Sequence, residues 1–200
     1  MSININGYMN RYQILRKHAF EVRNELDWTL KASLSLAFAI MTAVAAQIRI
    51  PLGFTPVPIT LQVFTVLLAG VVLGKWWGGA SQGMYILMGI VGFHVFSGFN
   101  GGVAYLMGAT GGYIFGFALQ AILIGHLVDK YAQARKVLPM LGLMFAGVGI
   151  IYALGALQLA LVLHLTPELA IAYGIAPFIG VDIAKALGAA AVGTVVLPKH

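Results

Sequence analysis

The 53 residues from Trp76 to Val128 contain no Asp, Glu, Lys or Arg. As one helix rising ~1.5 Å per residue they would reach ~80 Å, against a hydrocarbon core of ~30 Å, so this stretch alone crosses a bilayer at least twice. The rest of the 200-residue chain agrees: 60% of it is apolar, 9% is charged and the mean hydropathy is +0.91. A soluble domain carries ~25% charged residues. Apolar content this high also excludes disorder, because it demands burial. The expected fold class is an all-α integral membrane protein.

Charges and turn residues cut the apolar mass into six candidate transmembrane helices. They lie at about Trp28–Ile48, Ile59–Leu73, Trp76–Phe96, the end of a glycine-rich segment to Leu127, Val137–His164 and Pro177–Val196. The chain thus divides into a basic extension, 1–27, and a six-helix membrane domain, 28–200. With both termini cytoplasmic, the inner segments hold Arg11, Arg16, Lys17, Arg23, Lys31, Lys75, Lys130, Arg135, Lys136 and Lys199, whereas the outer segments hold Arg49 alone. That asymmetry is the positive-inside signal, and Trp28, Trp76 and Trp77 fall at inner boundaries as an aromatic belt would. The same placement of bases beside membrane segments argues against a nucleic-acid partner. The extension mixes both signs of charge and lacks the apolar core and small-residue cleavage site of a signal peptide. Within it Leu15, Ala19, Val22 and Leu26 follow helical spacing beside Arg16, Lys17 and Arg23. An amphipathic helix on the anionic inner leaflet suits this pattern; a solvated tail carrying orientation charges is the plainer alternative.

Asp182 and Lys185 are the one acid and one base inside a confident span. A charge at mid-membrane costs at least ~2.5–3.5 kcal/mol on insertion scales, so such a pair is a candidate ligand site. Three residues apart on a helix, they share a face and partly neutralise each other; a structural ion pair is the alternative. Thr55–Gln62, reading T-P-V-P-I-T-L-Q, is stiffened by its prolines into a non-helical segment fit for the wall of a pocket, with the Gln62 amide at its end. The glycine-rich run Ser97–Gly116 permits irregular backbone, which survives in a membrane only where protein or a cavity surrounds it. Asn100 and Tyr113 are its polar candidates, and Gly108, Gly112 and Gly116 make small-xxx-small steps for close helix packing. Ser35, Ala39 and Ala43 form a further small-residue stripe open to a helix of this chain or of a partner. There is no cysteine, no phosphate-loop motif, and no metal-ligand spacing among His94, His126, His164 and the few acids. Ser97 with some histidine is the one weak approach to an intramembrane serine hydrolase. No metal and no cofactor are expected.

Four segments carry a family likeness: Arg49-Ile50-Pro51 with Thr55–Gln62, Ala80-Ser81-Gln82, Gly108–Phe117 (G-A-T-G-G-Y-I-F-G-F), and Asp182 with Lys185. Over about residues 30–197 the sequence resembles the BioY family, the biotin-binding substrate-capture (S) components of energy-coupling-factor transporters. It departs at Gly180-Val181, where the family often reads Pro-Gly, and in its longer basic extension. The resemblance implies a non-enzymatic, multi-pass protein of the cell membrane that binds biotin near its outer face. It implies ligand contacts from Asp182, Lys185, Gln62, Gln82, Asn100, Gly112 and Tyr113, with Lys185 meeting either the ureido oxygen or the carboxylate. It further implies a transmembrane coupling protein and two ATPase subunits as partners, the former docking on Ser35, Ala39 and Ala43. The alternatives are capture of another vitamin or small metabolite, an intramembrane enzyme, and a structural membrane partner.

Overall fold

A computed structural model describes residues 5–199, with side chains from Arg11 onward. The first four residues of the extension, and His200, lie outside the described residues. The chain runs through α1 (Ile5–Glu25), α2 (Trp28–Gln47), β1 (Arg49–Ile50), β2 (Ile59–Thr60), α3 (Gln62–Ile90), α4 (Val103–Met107), α5 (Gly111–Lys130), a 3-10 turn (Ala132–Arg135), α6 (Val137–Leu163), α7 (Pro167–Gly174) and α8 (Ile179–Val196). The helices α2, α3, α5, α6 and α8 are long and apolar enough to cross a membrane.

Gly74 breaks α3 into two arms. Its φ of 77° and ψ of −173° lie where only glycine is unstrained. The chain doubles back there. Gln62 donates through Nε2 to the Tyr85 hydroxyl at 2.8 Å, although on a straight helix residues so far apart would stand roughly 34 Å from each other. A Cβ on Gly78 would lie 2.9 Å from the Ala69 carbonyl oxygen of the opposing arm. The arms 62–73 and 75–90 are therefore antiparallel neighbours, and the break expected at Gly74-Lys75 is the elbow between them. Asp129 closes the elbow from α5, its Oδ2 accepting the Lys75 N–H at 2.9 Å.

Around this hairpin α2 packs on α3, α3 on α5, α5 on α6, α6 on α8, and α8 returns to α3. The α5–α6 contact uses two of the three glycines in the sequence pattern, Gly112 and Gly116, whereas Gly108 lies before α5 as the C-cap of α4. A Cβ at Gly112 would collide with the Leu154 carbonyl, and one at Gly116 would stand 2.9 Å from Ile151 Cα. The stripe on α2 needs correction as a partner surface. Ser35 and Ala39 are completely buried, Ser35 Oγ donates to the Trp77 carbonyl at 3.0 Å, and Ala43 is half-buried against the core. The second arm of α3 fills the groove these small residues leave. The opposite face of α2, with Leu36, Ile40 and Val44, is the exposed one.

One end of the bundle is basic. There α1 crosses the ends of α8, α5 and the elbow with Arg16, Phe20 and Arg23 turned inward. Arg16, 5% exposed, donates to the carbonyls of Thr194 and Leu197 that end α8. Arg23 pairs with Asp129 at 2.6 Å. The guanidinium groups of Arg23 and Arg135 both lie over the Phe20 ring, 4.3 and 4.1 Å from its centre. The extension is helical over Ile5–Glu25, and the side it turns to the bundle is not the apolar stripe. Leu15, Ala19 and Val22 are exposed, and Leu26 is half-buried. Burial pushes the Arg135 guanidinium pKa down, helped by Arg23 and opposed by Asp129. The connections at the other end are locked together: Thr55 Oγ1 donates to the Tyr173 carbonyl at 2.9 Å, and Gln158 donates from α6 to the carbonyls of Leu106 and Gly108, both at 2.7 Å.

Candidate functional site

The end opposite the basic one holds two adjoining cavities. The inner one, about 60 Å³, lies between the proline loop, the first arm of α3, α5, α6 and α8. Val63, Ile114, Phe117, Ile151 and Phe178 give it apolar walls, and Asp182 and Lys185 give it charge.

Asp182 sits in the first turn of α8, where the helix dipole favours a negative charge. It is 3% exposed. Lys185, one turn on, donates to Oδ1 at 2.6 Å, and Tyr152 of α6 donates to Oδ2 at 2.7 Å. A carboxylate offers about four acceptor directions and an ammonium three donors. The pair therefore retains acceptors on both carboxylate oxygens and two N–H donors on Lys185. That is the complement of a compact polar head with paired N–H groups beside a carbonyl oxygen.

The other expected residues separate into three groups. Gln62 and Tyr113 line the inner cavity, both largely committed to the scaffold. Gln62 joins Thr60 and Tyr85, and Tyr113 ties α5 to α7 by donating to the Gly174 carbonyl at 2.8 Å. Asn100 lines the outer cavity and donates to the Ser97 carbonyl at 2.7 Å, shaping the turn. Gln82 and Gly112 line neither cavity. Gln82 is fully buried between α2 and α3, its Nε2 donating to Ser81 and Thr42, and Gly112 serves the α5–α6 contact.

Tyr152 and Thr110 are wall residues that the sequence does not single out. Tyr152 lies thirty residues from Asp182 in a wholly apolar run, so no spacing joins them. Its mid-span position, away from the interfacial aromatics, is its one signal. Ser97 lines both cavities, and among the described residues no group hydrogen-bonds its buried Oγ. Among the described residues no cluster of three His, Asp or Glu side chains forms.

The BioY family pattern matches residues 17–199. The chain belongs to the BioY family. It is 45% identical over 140 residues to the probable biotin transporter BioY of Methanothermobacter thermautotrophicus, covering 66% of this chain and 89% of that one. It is 44% identical over 153 residues to the biotin transporter BioY of Thermotoga maritima, covering 76% and 87% respectively. The fold is similar to the crystal structure of the S-component for biotin from an ECF-type ABC transporter. There the TM-score is 0.76 at 26% identity, across 83% of this BioY chain and 89% of the other.

Proposed function

We propose that this chain is the substrate-capture component of an ECF-type biotin transporter, binding biotin reversibly without changing it chemically. The observation that carries the reading is the buried Asp182 carboxylate in the wall of an apolar cavity, held by Lys185 and Tyr152 with acceptor directions to spare. The ureido group of biotin supplies the matching two N–H donors and one carbonyl, and its thioether ring suits the apolar walls.

In this reading the two arms of α3 count as separate crossings, giving six spans. The basic end faces the cytoplasm with both termini, and the cavities face outward across the cell membrane. The exposed Leu15–Val22 side of α1 lies on the anionic inner leaflet. Uptake proceeds with a transmembrane coupling protein and two ATPase subunits. The buried small-residue stripe on α2 favours docking through other surfaces.

Mass spectrometry of the small molecules released from the full chain, purified from cells supplied with biotin, tests the assignment. Biotin in near-equimolar amount is expected. A different vitamin or metabolite in its place would transfer the chain to another substrate.

A further inference from the structure

The inner cavity is too small for a whole biotin molecule. At ~10–15 Å³ per water on this scale of volume, its 60 Å³ holds roughly five waters, enough for a bicyclic head but not for a pentanoate tail as well. The outer cavity, about 370 Å³, meets it along Pro58, Ser97, Tyr105 and Thr110.

Arg49 is the charged residue lining the outer cavity. Among the described residues no carboxylate lies within ion-pair distance of it. Its backbone is fixed by the β1–β2 pair, in which it stands opposite Thr60. Its guanidinium rests over the Ser97–Asn100 turn: a Cβ on Gly98 would fall 2.5 Å from Nη1. At the junction of the two cavities the Ser97 hydroxyl, 6% exposed, has no partner among the described residues. An unpaired cation in one chamber, and an unpartnered buried hydroxyl on the way to it, fit an anionic group entering from the inner chamber.

We propose that Arg49 recognises the carboxylate of the bound ligand. The ureido head stays with Asp182 and Lys185, the tail passes Ser97 and Thr110, and its carboxylate ends on the guanidinium. A planar fork with several N–H donors suits that task. The assignment rests on the biotin reading and places Lys185 with the head rather than the tail. The site then selects for a free acid over a neutral amide or ester with the same bicyclic head.

Calorimetric titration of the full chain with biotin and with biotinamide, which keeps the head and neutralises the tail, tests this. Arg49 is exposed and its side chain takes no part in the β1–β2 pairing, so Arg49→Gln should fold, as a matching size-exclusion profile would show. An ion pair open to solvent on one side is modest, so the parent should prefer biotin by about fivefold to tenfold. Arg49→Gln should abolish that preference, and Arg49→Lys should restore part of it. Added salt should narrow the preference of the parent, by screening, and leave that of Arg49→Gln unmoved. Asp182→Asn should weaken both ligands alike. Equal affinities of the parent for the two ligands, or a preference that survives in Arg49→Gln, would overturn the role of Arg49 while leaving the biotin reading intact. Binding of neither ligand by the parent would overturn both.

Discussion

At 3% exposure Asp182 has lost nearly all its water, and Lys185 and Tyr152 hydrogen-bond its two carboxyl oxygens instead. The same two partners fix the direction of its remaining lone pairs, which on the biotin reading meet the ureido N–H groups. Tyr152→Phe keeps the ring and removes one hydrogen bond to a charged acceptor, an interaction of ~1.5–3 kcal/mol, and should weaken biotin about ten- to a hundredfold. Lys185→Met should cost a similar order, and the double variant should cost less than the sum because both act on one carboxylate. Calorimetry on the three variants reads these values. Parent-like affinity in Tyr152→Phe would reduce the tyrosine to a packing residue. Asp182 and Lys185 are legible in the sequence because any charge stands out in an apolar run. Tyr152 is not, because a tyrosine carries no charge to mark it in an apolar run, and its pairing exists only after α6 meets α8.

Among the helices, the glycine-mediated contacts are where pattern and packing agree, and α2 shows the limit of pattern. The spacing of Ser35, Ala39 and Ala43 announces a close helix neighbour but cannot name it; the arm of α3 across the elbow supplies it. Ala39→Leu should therefore overpack the α2–α3 contact, costing ~1–3 kcal/mol and lowering the thermal stability of the isolated chain in detergent. A parent-like melting temperature would mean that the stripe faces outward after all. The elbow gives a sharper test. Gly74→Ala places a Cβ against the Asp129 carboxylate at a backbone angle alanine disfavours, and little monodisperse protein should survive size exclusion. Gly83 lies in the second arm with nothing within 4 Å of an added Cβ, so Gly83→Ala should be neutral or stabilising. Equal behaviour of the two variants would contradict the hairpin. In α1 the apolar stripe stays largely exposed, and the bundle takes Arg16, Phe20 and Arg23 from another side of the helix. The terminal carbonyls of α8 and the Asp129 carboxylate are met by cations, and apolar periodicity carries no record of that need.

Across the whole molecule the basic end and the cavity end are chemically opposite, and the transport reading requires them to lie on opposite sides of the membrane. The chain contains no cysteine, so single introduced thiols give a clean readout. Val103→Cys and Glu168→Cys, at the cavity end, should label with an impermeant reagent added to intact cells, and Gln133→Cys, at the basic end, should label only after permeabilisation. The reverse pattern would invert the topology. Titrating biotin into the purified full chain and into Asp182→Asn side by side shows whether the Asp182 cavity binds biotin. Asparagine keeps the size but turns one acceptor into a donor facing the ureido N–H groups and leaves Lys185 uncompensated. Saturable one-to-one binding by the parent is expected, with a loss of about ten- to a hundredfold in the variant; equal affinity in the two proteins, or no binding by the parent, would remove Asp182 from a biotin site.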